Sequence, residues 1–130
     1  MEMNFKNTLL EALDIQIVHQ APDKVVLSMP VGPKTCQPMG MLHGGASVAL
    51  AESAASLGAL LNINPKTHRA VGLEINANHV RSKSGGVVTA IATPVHLGKT
   101  SMVWDIRIED EVQKLICISR CTMAVIEMII

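Results

Sequence analysis

The chain has 130 residues, 48% of them hydrophobic, which is enough to bury one core but too few for two independent ones, so residues 1–130 are read as a single domain. Eleven basic residues offset eleven acidic ones, which removes the electrostatic footprint of a nucleic-acid binder. With Phe5 and Trp104 as the only aromatics, a base-stacking surface is disfavoured as well.

The amino terminus reads MEMNFKNTLLEALDIQ. It carries acidic residues where a secretory signal needs a basic start and an unbroken apolar run, so a cytoplasmic location is expected. Residues 7–13 suit a short helix. Residues 15–19 and 24–29 read as a hairpin closed through Ala21-Pro22-Asp23, and residues 30–42, rich in Pro and Gly, as a loop.

Residues 44–62, GGASVALAESAASLGALLN, contain one charged side chain, Glu52. On a helical projection Leu50, Ala54, Leu57 and Leu61 form one mostly bulky stripe suited to the body of the domain. Nearly opposite lie Gly45, Val48, Ala49, Glu52, Ser56 and Ala59, where small residues permit close approach by another backbone, subunit or ligand. A helix without a face for bulk water belongs inside. Glu52 then either has a buried Arg partner, faces a solvent crevice, or serves a function, because an unpaired buried carboxylate is costly. The alternative of a membrane span is opposed by the paired glycines, the serines and the acid, whose insertion costs roughly 2.5–3.5 kcal/mol near the bilayer centre.

Four antiparallel strands are expected next, over residues 69–80, 87–97, 101–109 and 112–126. Ser84-Gly85-Gly86, Gly98-Lys99-Thr100 and Asp110-Glu111 separate them, links too short for parallel crossovers. Period-two spacing aligns His79 with Val71, Leu73, Ile75 and Ala77, placing an ionisable ring on an otherwise apolar face. Cys117 and Cys121 share a strand face as core filling, and Glu109 to Glu111 read as a charged turn with no further role. One long apolar helix against a twisted sheet of about six strands gives an α+β fold. Because a single sheet covers one side of a helix well, a second copy of the chain is expected on the other side.

The stretch Gln37-Pro38-Met39-Gly40-Met41-Leu42-His43-Gly44-Gly45, followed by Ala51-Glu52-Ser53 and by residues 72–82, GLEINANHVRS, resembles the hotdog-fold acyl-CoA thioesterases. Within them it is similar to the branch holding the Arthrobacter-type hydroxybenzoyl-CoA thioesterase and the bacterial dihydroxynaphthoyl-CoA thioesterase of menaquinone synthesis. The resemblance extends to His96-Leu97-Gly98 and Trp104. It implies a long central helix wrapped by the sheet, and a dimer that pairs into a dimer of dimers. It also implies hydrolysis of an aromatic or medium-chain acyl-CoA in a pocket lined by small helix residues, with CoA as part of the substrate and no separate cofactor.

By that resemblance the Gly44 N–H polarises the thioester carbonyl, as the positive end of a helix favours developing negative charge. Gln37 orients the thioester or water, and Glu52 acts in a site built from two subunits, as nucleophile or as general base. Ser56 holds the water or carboxylate, or simply bonds a preceding carbonyl. His43 shapes the turn or orients substrate in preference to acting as base. The resemblance places Gly72, His79, Val80, Arg81 and Ser82, with His96, Leu97, Gly98, Lys99, Thr100 and Ser101, along the substrate and its CoA moiety. Related members carry a basic residue at the position of Thr100, where this chain has its basic side chain at Lys99.

The histidines show no HxxxH spacing and the three cysteines no CxxC pair, so no metal site, zinc included, and no disulfide framework is expected. Two other activities remain open: an acyl-thioester hydratase or dehydratase of the same fold, and a non-catalytic acyl-CoA-binding protein.

Overall fold

The computed structural model describes residues 3–129. A short helix α1 (Leu9–Ala12) precedes the hairpin β1 (Gln16–Ala21) and β2 (Lys24–Pro30); the long helix α2 (Gly44–Leu60) follows, then β3 (His68–His79), β4 (Val87–Leu97), β5 (Ser101–Glu109) and β6 (Leu115–Glu127). The strands form one antiparallel sheet in the order β1-β2-β4-β5-β6-β3. This α+β arrangement of a helix enclosed by a six-stranded sheet is the hotdog fold.

Alternation along the strands builds the core. Val25, Leu27 and Met29 of β2, Val88, Ala90 and Ala92 of β4, and Met102, Trp104, Ile106 and Ile108 of β5 are all buried, one face of each pleated strand turned toward α2. Trp104 lies against Gly58 so closely that a Cβ there would sit 2.5 Å from its ring. Only glycine lets the ring and the helix meet at this depth.

The expectation of one buried stripe and one free face on α2 holds only in part. Leu50, Ala54 and Leu57 are buried, but so are Ala46, Ser47, Ala51, Ala55, Gly58 and Ala59. The sheet curls so far that all six strands touch the helix, as strand twist allows. Val48, Ala49, Glu52, Ser53, Ser56 and Leu60 stay half-buried. Burial of α2 by itself therefore does not call for a second copy of the chain.

Register shifts occur in β1, β3 and β4, and β3 and β6 are the strands that differ from the reading above. In β3 a bulge separates the pairs Gly72↔Met123 and Glu74↔Thr122, so Leu73 is an extra residue. Val71 and Leu73, 45% and 64% exposed, do not share a face with Ile75, Ala77 and His79. Before the bulge it is Ala70 and Gly72 that face the helix. β6 begins at Leu115 rather than at 112 because the Asp110 carboxylate accepts from the N–H groups of Val112 and Lys114, both at 2.9 Å, and Gln113 takes a left-handed φ of 65°. Residues 110–114 are thus a closed turn.

Glu111 has a role that its reading as a plain charged turn residue missed. Its carboxylate accepts from Lys83 Nζ at 2.7 Å and from Val87 N–H at 2.9 Å, tying the β3–β4 connection to the β5–β6 turn. The Lys83 bond first, and the Val87 N–H second, pull its pKa down to about 2.

Candidate active site

The entrance of α2 accounts for nearly all of its first-turn donors. His43 is the N-cap, with extended φ and ψ of −70° and 130°. Its Nδ1 accepts from Gly45 N–H at 2.7 Å, and its carbonyl accepts from Ala46 and Ser47 N–H at 3.0 and 3.2 Å. An Nδ1 that accepts places the ring proton on Nε2. Of the first four N–H groups, which no helix can satisfy internally, only that of Gly44 donates to no acceptor among the described residues. The loop before it is pinned by Gln37 N–H to the Met41 carbonyl (2.8 Å) and Leu42 N–H to the Lys83 carbonyl (2.7 Å). Side-chain Oε1 of Gln37 accepts from Met39 N–H.

Gly44 is also where the helix meets β3. A Cβ on Gly44 would stand 3.0 Å from His79 Nε2, so the imidazole lies over the first turn. A groove of about 360 Å³ opens there, lined by Gln37, Gly44, His79, Val80, Arg81 and Ser82. Six residues singled out in the sequence thus come together at one end of the helix, with His43 forming the turn beside them.

Glu52 lies two turns further along. Its carboxylate presses on the backbone of Gly72, where a Cβ would fall 2.5 Å from Oε2. No ion pair within 4.0 Å holds it among the described residues, which removes the buried-Arg explanation. The acid instead opens on a cavity of about 490 Å³ together with Ser53 and Ser56. Ser56 does not bond the carboxylate; its Oγ lies 3.9 Å from Met123 Sδ. Burial first, and then the charges of Glu52 and Glu74, push the nearby Cys121 thiol up to about 11.

His96 to Ser101 are not part of either cluster. They form the β4–β5 turn, in which Gly98 N–H donates to the Ser101 carbonyl at 2.9 Å and Thr100 accepts from Val125 N–H at 2.9 Å. Gly98, Lys99 and Thr100 border a cavity of about 630 Å³ with Asn62, His68 and Glu127. That is the His68 end of β3, eleven residues from His79 and on the order of 35 Å away at the rise of a strand. The residues of the Glu52 cavity that sequence reasoning did not assign to a site are Met3, Phe5, Leu9, Leu10, Leu27, Leu57, Leu60 and Ala70. For Phe5, Leu9 and Leu10 the apolar spacing of residues 5–10 was the only signal, and Leu57 read as part of the bulky stripe. Among the described residues no three His, Cys, Asp or Glu side chains stand close enough to hold a metal, and no helix is long and apolar enough to cross a membrane.

The family model of the thioesterase superfamily matches residues 39–117, from the loop before α2 into β6, and the chain belongs to that superfamily. It is a thioester hydrolase of the hotdog fold. The 1,4-dihydroxy-2-naphthoyl-CoA hydrolase of Listeria monocytogenes is 53% identical over 117 residues, spanning 90% of this chain and 94% of its own. The enzyme of the same name from Escherichia coli is 48% identical over 114 residues, 88% of this chain and 83% of its own. Among solved structures, a variant of thioesterase PA1618 from Pseudomonas aeruginosa superposes with a TM-score of 0.93 at 44% identity, covering 95% of this chain and 89% of the other.

Proposed function

We propose that the chain hydrolyses the thioester of an aromatic acyl-CoA, with the Gly44 N–H polarising the carbonyl and Glu52 as the acting carboxylate. The unmet Gly44 donor, held open on a groove by a cap that satisfies its neighbours, carries this reading. Such a donor favours the tetrahedral oxyanion over the ground-state carbonyl, and losing one costs about 2.7–4 kcal/mol in the transition state. Relatives named as 1,4-dihydroxy-2-naphthoyl-CoA hydrolases, 53% and 48% identical, support a bicyclic aromatic acyl group.

Gly44 and Glu52 are eight residues apart on one helix, a rise of about 12 Å. A site that uses both on one carbonyl therefore draws them from two chains. The edge strand β3, with Val71 and Leu73 exposed, offers unpaired backbone to a second copy. Antiparallel pairing of two β3 edges carries the 96–101 turn of one chain toward the His79 end of the other. Arg81 and Lys99 then converge as cations for the CoA phosphates.

Two routes are open to the carboxylate. Glu52 takes a proton from water as the water oxygen bonds the carbonyl carbon, or it bonds that carbon itself and water opens the resulting anhydride. In both routes the C–S bond breaks, CoA leaves as the thiolate and takes up a proton, and the free acid departs. Thiol release from a panel of aryl- and fatty-acyl-CoA esters tests the assignment. Glu52→Gln and Glu52→Ala are expected to lose about 10³-fold or more in turnover with the dimer intact. Parent-like rates in both variants would refute the role of Glu52, and a parent that cleaves no thioester would favour a carrier.

A further inference from the structure

The cavity beside Glu52 has a roof that the chemistry above does not use. Its floor is α2, through Ser56, Leu57 and Leu60, and its roof is the amino-terminal segment, through Phe5, Leu9 and Leu10. Among the described residues, Glu52 is the one ionisable side chain on its walls. A volume of about 490 Å³ lies in the range of small-molecule sites, which pair apolar walls with a few placed polar groups.

The roof is a folded piece in its own right. Asn7 takes a left-handed φ of 62°, its N–H donates to Glu11 Oε1 at 3.2 Å, and Thr8 N–H donates to the Phe5 carbonyl at 3.1 Å. These bonds are local, while Phe5 and Leu10 pack on the core through apolar contact. Leu9 is 59% exposed at the rim.

We infer that residues 5–10 roof the acyl pocket, and that Phe5, Leu9 and Leu10 are specificity determinants for an aromatic acyl group. The inference rests on the assignment of Glu52 as the acting carboxylate. With the carbonyl carbon at Glu52, the two halves of the substrate must diverge from it. The groove with Arg81 and Ser82 suits the polar CoA arm, whereas the apolar chamber suits a hydrocarbon ring. Phe5 meets that ring as an aromatic partner, by edge or offset stacking.

The test is titration with 2-naphthacyl-CoA, in which a methylene between carbonyl and sulfur blocks hydrolysis, alongside free CoA. Phe5→Ala and Leu9→Lys are expected to weaken the naphthacyl compound about tenfold or more, the scale set by lost apolar pocket contacts, and to leave free CoA within about threefold. Leu9→Lys sits at an exposed position and exchanges one good helix former for another, so it reads the pocket even if Phe5→Ala unfolds. The kcat/KM preference for 2-naphthoyl-CoA over butyryl-CoA should fall by a similar factor, while Val112→Ala, on the exposed β5–β6 turn, stays at the parent value. Parent-like affinity in both variants overturns the proposal, as does equal weakening of free CoA. Because binding needs no hydrolysis, the titration still judges the roof if Glu52→Gln turns over normally. In that event the catalytic assignment fails separately.

Discussion

Gly72→Ala separates the position of the carboxylate from the stability of the fold. The added Cβ would stand 2.5 Å from Glu52 Oε2, against about 3.4 Å for ordinary contact, so one of the two must move by roughly 0.9 Å. The strand is held by its pairing with β6 through Met123, whereas the carboxylate is the far end of a flexible side chain, so the carboxylate yields. Gly72 does not have a left-handed φ, and alanine fits the strand with a gain of about 0.5–1 kcal/mol from reduced unfolded-state freedom. Melting should therefore hold or rise by a few degrees. Displacing a reacting group by about 1 Å costs on the order of 10²-fold in rate, or about 2.7 kcal/mol of barrier. Thiol release from an aryl-CoA ester, with a thermal melt of the same sample, reads both quantities. Parent-like turnover in a well-folded Gly72→Ala would refute the claim that this glycine seats the acting carboxylate.

Gly58→Ala should do the reverse, lowering stability with little direct effect on chemistry. Its Cβ would meet the buried Trp104 ring at 2.5 Å; overpacking costs roughly 1–3 kcal/mol and helix propensity returns about 1. Urea denaturation should show a net loss of about 1 kcal/mol, and a stabilised variant would mean that the ring has room to shift. Glu111, with a folded pKa of about 2 against 4.5 for the free group, gives stability that is present above pH 4.5 and drains away as pH falls toward 2. Glu111→Gln should flatten the acid limb of stability over that window and speed exchange of the Val87 amide; identical slopes would remove the clamp. On the proposed two-chain site, co-refolding Glu52→Gln with Gln37→Ala should restore about a quarter of the parent rate, the share of intact sites in randomly mixed dimers. No gain over either variant alone would place the whole site in one chain.

What the sequence made visible was local chemistry. Two glycines after a histidine mark a helix entrance, and one acid in an apolar helix marks itself, so His43, Gly44 and Glu52 could be picked out before any fold was known. The β3 bulge left no such mark, because one extra residue in an apolar run looks like more of the same run. Residues 112–114 read as strand because the bonds that close residues 110–114 come from a single carboxylate, Asp110. Glu111 meets Lys83 and Val87 across more than twenty residues, and no spacing rule spans that gap. The roof failed to appear for the same reason: Phe5, Leu9 and Leu10 announce an apolar face, but where it docks is decided by how far the sheet curls.

The bulge links these observations. α2 and β3 grip each other reciprocally: a helix glycine, Gly44, seats a strand side chain, His79, and a strand glycine, Gly72, seats a helix side chain, Glu52. Gly72 and His79 are seven residues apart, an odd separation that in a regular strand turns them to opposite faces of the sheet. With Leu73 inserted as the unpaired residue, the pairing advances by one and both face α2. A one-residue slip ordinarily exchanges the two faces of a strand; here the bulge uses that exchange midway along β3, so that a single edge strand serves both the helix entrance and the carboxylate two turns beyond it. The irregular point in the strand therefore sits between Gly72, which meets the carboxylate, and His79, which meets the helix entrance, and the extra residue Leu73 fixes how they stand relative to each other.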